Sequence, residues 1–113
     1  MKPILHITSK SAWEAAQKIG FYSAPSLVSE GFIHCSTPAQ ALATARRFYA
    51  GQSGLVLLII DPVRVKAELK FEVGADKPDE LFPHIYGPLN LDAVTGAPDF
   101  ASDSAGNWVL PPL

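Results

Sequence analysis

Apolar positions along the chain fall into blocks whose spacing changes from strand-like to helical and back. The opening segment "KPILHITS" is short, apolar and β-branched, which predicts a strand, and "SKSAWEAAQKIG" after it has the spacing of a helix. Ser11 and Glu14 stand in capping-box spacing, where each side chain can satisfy a free backbone N–H of the first turn. Gly20 can take the left-handed conformation that ends the helix. A polar loop leads to a second strand, "FIHCS". The next block, "TPAQALATARRFYAG", predicts a second helix in which Thr37 caps, Pro38 takes the first helical position, Gln40 completes a capping box and Gly51 stops the helix. Ala41, Leu42, Ala45, Phe48 and Tyr49 recur on one face, which is expected to pack inward.

"GLVLLIID" is apolar almost throughout, the pattern of a strand buried on both faces at the centre of a sheet, and Asp61-Pro62 ends it. "AELKFEV" alternates and predicts a half-buried strand. "GADKPDELFP" is expected to be a loop leading to a short extended piece, "HIYG", with one more strand or turn in "PLNLDAV". "TGAPDFASDSAGN" is expected to be loop, and "WVLPPL" an edge strand or docked tail anchored by Trp108. Clear helices occupy only the two early connections and the second half is mostly strand. That pattern favours an α+β fold over a doubly wound parallel sheet.

A chain of 113 residues holds one domain with one core, expected over about 3–95 with a tail over about 96–113. Apolar residues make up 48% and charged ones 18%, a globular composition rather than a disordered one. The longest apolar run, "LVLLII", is far shorter than the roughly 20 residues that cross a bilayer, and the N-terminus lacks the apolar core of a signal peptide. Neither membrane insertion nor secretion is expected. Cys35 is the single cysteine, which leaves no internal disulfide and no multi-thiolate zinc site, and suits a structural thiol in a reducing cytoplasm. Net charge is −2 and the nine basic residues are scattered, apart from Arg46 and Arg47, so no stripe for a nucleic-acid backbone is expected. The expected assembly is a monomer or weak dimer.

The candidate chemistry lies in three histidines. Side chains alternate between the faces of a strand, so His6 shares a face with Thr8, His34 with Ser36, and His84 with Tyr86, while Leu5, Ile7, Ile33, Cys35 and Ile85 point the other way. One reading is three unrelated strands with polar solvent faces. The other is a single cleft whose imidazoles and hydroxyls bind a ligand rich in hydroxyls and phosphates, such as a nucleotide. A zinc site of a metal-dependent hydrolase has weaker support, because no two histidines stand at helical i, i+4 spacing, and no metal is expected. Cys35 points away from His34, which argues against a nucleophilic pair.

"ILHITS", "SAWEAAQKIG", "SEGFIHCST" and "FPHIYGPLNLDAV", in this order, resemble a family of small bacterial proteins known as domain of unknown function 952, over about residues 3–95. That family is similar, more distantly, to the ADP-ribosyltransferase fold and within it to the NAD-binding half of tRNA 2′-phosphotransferases. The counterparts would be His6 with Thr8, then Trp13, then His34 with Ser36. The resemblance implies a bent, split β-sheet with two main helices, NAD in its cleft as substrate or ligand, and His6 on the adenosine-side ribose. The phosphotransferases also hold RNA and phosphate with an arginine and histidine pair. Here Arg46, Arg47 and Arg64 are the only arginines and none adjoins a histidine motif, so RNA processing is not implied. Other ADP-ribosyltransferases use a late glutamate to orient the nucleophile; Glu72 is the candidate, with Glu68 and Glu80 as alternatives, and Tyr86 could stack on a nicotinamide.

The expectation is therefore a histidine-lined cleft for NAD or a related nucleotide. Glu72 and His34 would be catalytic, and His6, Thr8, His34, Ser36, His84 and Tyr86 would bind the ligand. The alternative is a binding module that breaks no bond.

Overall fold

In the computed structural model, which describes residues 2–74 and 77–113, strand β1 (Ile4–Ser9) runs directly into helix α1 (Lys10–Ile19). The cap is Ser9 rather than Ser11 with Glu14. Ser9 ends the strand with extended dihedrals, as an N-cap requires, and its Oγ accepts from the Ala12 N–H at 3.1 Å. Ser11 already lies inside the first turn. Gly20, at φ 105°, closes the helix as expected.

The expected polar loop holds a two-residue strand, β2 (Phe21–Tyr22), and a single helical turn, α2 (Ser26–Ser29). Strand β3 (Ile33–His34) is shorter than "FIHCS", but Ser36 still bridges Leu5 of β1, with both backbone hydrogen bonds at 2.7 Å. Helix α3 (Pro38–Phe48) starts as expected, with the Gln40 side chain accepting from the Thr37 N–H at 3.0 Å. Ala41 and Ala45 are fully buried, but Phe48, at the last helical position, is exposed instead of packed inward.

The rest of the chain is mainly strand: β4 (Leu55–Ile60), β5 (Glu68–Gly74), β6 (Lys77–Tyr86), β7 (Leu89–Asn90), β8 (Val94–Gly96) and β9 (Asp99–Phe100). The strands form three sheets rather than one split sheet. β4 is flanked by β1 on one side and by β8 and β9 on the other, β6 lies between β3 and β5, and β2 pairs with β7. β4 is central and buried on both faces, as its continuous apolar run predicts: Val56, Leu58 and Ile60 pack with Ile33, Ile85 and Leu89, while Leu55 and Leu57 pack with Leu5, Ile7 and Ala45. The fold is α+β, with α1 and α3 as its two long helices. No helix among the described residues is long and apolar enough to cross a membrane.

Two segments expected to be loops are strands. "GADKPDELFP" belongs to the β5–β6 hairpin, though its Ala75 and Asp76 lie outside the described residues. A ladder needs backbone partners rather than apolar side chains, and β5 supplies them. Pro78 is tolerated because β6 has only β5 beside it there, β3 pairing with it at His84 and Ile85. "TGAPDFASDSAGN" contributes β8 and β9 to the open edge of β4. The region expected to be a tail therefore carries core residues: Phe100 and Trp108 are buried, with ring centroids 5.0 Å apart. Trp108 is the anchor its sequence position predicts, but in a docked segment with one isolated bridge to Ser102, not in an edge strand.

Candidate functional site

Strand parity places Phe82, His84 and Tyr86 on one face of β6 and sends Ile85 into the core. Between that face and α3, with β1 and β3 as the floor, lies a groove of about 830 Å³. Its walls include His6, His34, Ser36 and His84, together with Gln40 and Thr44 from α3. Ser36 is buried, its hydroxyl 3.2 Å from that of Thr44.

His84 is the most constrained of these groups. It is buried, stacked on Phe32 with ring centroids 4.1 Å apart and planes 20° from parallel, and its Nδ1 lies 2.9 Å from Glu72 Oε1. A carboxylate only accepts, so Nδ1 carries the proton and, in the neutral ring, Nε2 is the acceptor. Nε2 makes no hydrogen bond among the described residues, and the ring forms part of the groove wall. Tyr86 donates its hydroxyl to the same Glu72 oxygen in a short hydrogen bond. Those two donors, Tyr86 first and then His84, hold the Glu72 carboxyl below the usual range, and the carboxylate in turn raises the Tyr86 phenol. Glu72 therefore serves His84 directly, and Tyr86 braces Glu72 while Lys70 lies 5.0 Å over its ring.

His34 faces His84 across the β3–β6 ladder, with ring centroids 5.4 Å apart. It is far more open, with its side chain 51% exposed, and its Nε2 meets Glu30 Oε2 at 2.8 Å. Of the alternative glutamates, Glu80 lines the groove, whereas Glu68 is an exposed partner of Lys70.

His6 and Thr8 lie deeper. His6 Nδ1 is 2.5 Å from the His34 carbonyl oxygen, which only accepts, so Nδ1 donates; Nε2 is 2.7 Å from the Tyr22 hydroxyl. That hydroxyl is also 3.0 Å from Thr8 Oγ1. Both ring nitrogens are thus engaged by the protein, and burial holds the imidazole down to about pKa 4, hence neutral at pH 7. Thr8 borders a smaller cavity of about 280 Å³ that also touches His6 and His34. Cys35 is buried, its thiol pushed well up by desolvation, in keeping with a structural role. Among the described residues no group of three or more His, Cys, Asp or Glu side chains is arranged to hold a metal ion.

Phe32, Glu30 and Tyr22, like Phe82 and Thr44, were not singled out by the sequence. Phe32 shares strand parity with His34 and was recoverable from that alternation. Glu30 reaches His34 only because the turn at Gly31, φ 90°, folds the chain back. Tyr22 meets His6 from 16 residues away, a pairing without local signal.

Three solved structures are similar across nearly the whole chain, and all are of one protein, CC0527 from Caulobacter crescentus. Its X-ray crystal structure has 33% sequence identity and a TM-score of 0.84, covering 96% of this chain and 94% of that one. Its solution NMR structure has 34% identity and a TM-score of 0.81, covering 95% and 91%. No curated protein matches the chain. A family model described as "Protein of unknown function (DUF952)" matches residues 7–97, so the chain belongs to the DUF952 family.

Proposed function

We propose that the groove between α3 and the β5–β6 hairpin binds NAD or a related nucleotide, and that the chain is an NAD-consuming transferase of ADP-ribosyltransferase-like fold. The observation that carries this reading is the Glu72–His84 pair, which sets an imidazole with an uncommitted Nε2 in the wall of a groove of about 830 Å³. That volume suits a ligand of nucleotide size. Phe82 and Phe32 supply aromatic surface for a base or nicotinamide ring, and Ser36, Thr44 and Gln40 supply polar groups for ribose. In this reading His84 Nε2 takes the proton of the acceptor hydroxyl as its oxygen bonds to the ribose carbon, and the nicotinamide leaves with the electrons of the broken C–N bond. Glu72 keeps the ring in the tautomer that can do so. The cytoplasm, where Cys35 stays reduced, is the proposed compartment.

One observation favours a second reading, a module that binds without catalysis. The histidine that the resemblance assigns to the adenosine-side ribose, His6, has both ring nitrogens committed to His34 and Tyr22. Ribose would then be held by other groups, and the chemistry of the related fold need not have been retained.

Thermal unfolding with NAD, ADP-ribose and mononucleotides tests binding. Ligand at about 100 times its Kd should add about 2.7 kcal/mol of stability, seen as a raised Tm. No shift at saturating concentrations of any of them removes the nucleotide reading. Catalysis is read separately as nicotinamide release: Glu72→Gln, which keeps the shape but loses the anion that orients His84, should lower kcat by about 10²-fold or more with little change in KM. Binding without release from the parent protein selects the module.

A further inference from the structure

β5 is an edge strand. It pairs only with β6, and among the described residues no other backbone hydrogen bond reaches it. Its sequence, "ELKFEVG", alternates Glu68, Lys70 and Glu72 on one face with Leu69, Phe71 and Val73 on the other. Leu69 packs against the core, but Phe71 and Val73 remain 47% and 55% exposed, and Leu81, opposite Val73 on β6, is 54% exposed. An open edge beside an exposed apolar row is a template for strand addition.

We propose that this edge is the contact surface of a homodimer, in which β5 of one copy pairs antiparallel with β5 of another about a two-fold axis at Phe71. The strand is self-complementary in that register. Phe71 meets Phe71, Leu69 meets Val73, and Lys70 meets Glu72 twice, once on each side of the axis. Directly opposed side chains on one face lie about 5 Å apart, so the two ion pairs form while the apolar rows merge across the axis. A lysine at a sheet edge usually discourages pairing because it meets a lysine or an apolar row. Here Lys70 meets a carboxylate, and Glu72 has an oxygen to offer: His84 and Tyr86 both use Oε1, and Oε2 carries no hydrogen bond among the described residues. Antiparallel strand addition also joins the two three-stranded sheets into one of six, the isologous contact expected of a two-fold dimer. The proposal does not rest on the identity of the groove's ligand, although Glu72 also holds His84 and Val73 also lines the groove.

Sedimentation velocity over a wide range of protein concentration tests it, with Phe71→Lys and Phe71→Glu as the decisive variants. The parent should pass from monomer to dimer as concentration rises. Each variant alone should stay monomeric, because like charges meet at the axis. An equimolar mixture of the two should recover the dimer, because lysine then faces glutamate. Lys70→Glu, which sets carboxylate against carboxylate at two places, should weaken the parent dimer about tenfold. Circular dichroism and Tm confirm that each variant is folded, as expected for exposed positions. A parent that remains monomeric overturns the proposal, as does a dimer that survives Phe71→Lys or a mixture of the two charged variants that does not associate.

Discussion

Trp108→Ala is expected to destabilise the protein by about 3–5 kcal/mol, the usual cost of deleting a large buried aromatic side chain. Trp108 is buried against Phe100, and the two share a cluster with Leu5, Ile7, Leu57 and the buried face of α3. Truncation leaves a cavity between the docked C-terminal segment and two elements that line the groove, β1 and α3. The segment is otherwise held by Leu110, which packs on the same cluster, by an isolated bridge to Ser102 and by a turn built on the Asp103 carboxylate. Urea unfolding of parent and variant measures the effect as a lower midpoint with a similar slope. A loss below about 1 kcal/mol would mean that residues beyond β9 are not part of the cooperative unit.

Acidification should cost about 3 kcal/mol through His6 alone. Burial lowers its pKa from 6.5 to about 4, so the folded protein holds the neutral ring. Above pH 6.5 the ring is neutral in both folded and unfolded states and carries no penalty. As pH falls from 6.5 towards 4, the unfolded chain takes up a proton that the folded one refuses, and stability declines by up to about 1.4 kcal/mol per pH unit. Below about 4 both states are protonated and the loss levels off. Glu72 and Asp92, both held below their ordinary values, add a further decline at the acid end, where unfolded carboxylates titrate. The difference between parent and His6→Gln in denaturant unfolding between pH 7 and 4.5 isolates the histidine, because the other titrating groups are common to both. His6→Gln should be less stable at neutral pH, having lost two buried hydrogen bonds, yet show a flatter pH dependence across that window. An unchanged slope in the variant would clear His6 of the role.

Wherever structure is set by neighbours in sequence, the chain could be read directly. Helix α3 begins where Thr37, Pro38 and Gln40 place it, because capping is decided within four residues. β4 is central because an uninterrupted apolar run needs cover on both faces. Alternation put His84 and Tyr86 on one face of β6 and sent Cys35 into the core away from His34. The error at Ser11 is instructive: Ser9 and Ser11 offer similar chemistry, and the choice falls to the residue that β1 leaves in extended conformation. The alternation of "AELKFEV" marked β5 as a strand, but the first half of β6 and β8–β9 were illegible for a related reason. Their residues are polar or turn-like, and strand structure comes to them from the partner's backbone rather than from their own side chains.

By itself the sequence determined an α+β chain with two long helices, the second with its cap in place, an apolar central strand, a buried thiol and three histidine-bearing strands. It could not determine which histidine is sealed and which is open, because that depends on groups distant in the chain. His6 is closed off by Tyr22 and the His34 carbonyl, while His84 is clamped by Glu72 and stacked under Phe32. Tertiary packing alone decides those partners, since a side chain's solvation and protonation follow from what surrounds it in space, and strand parity specifies only the face on which it lies.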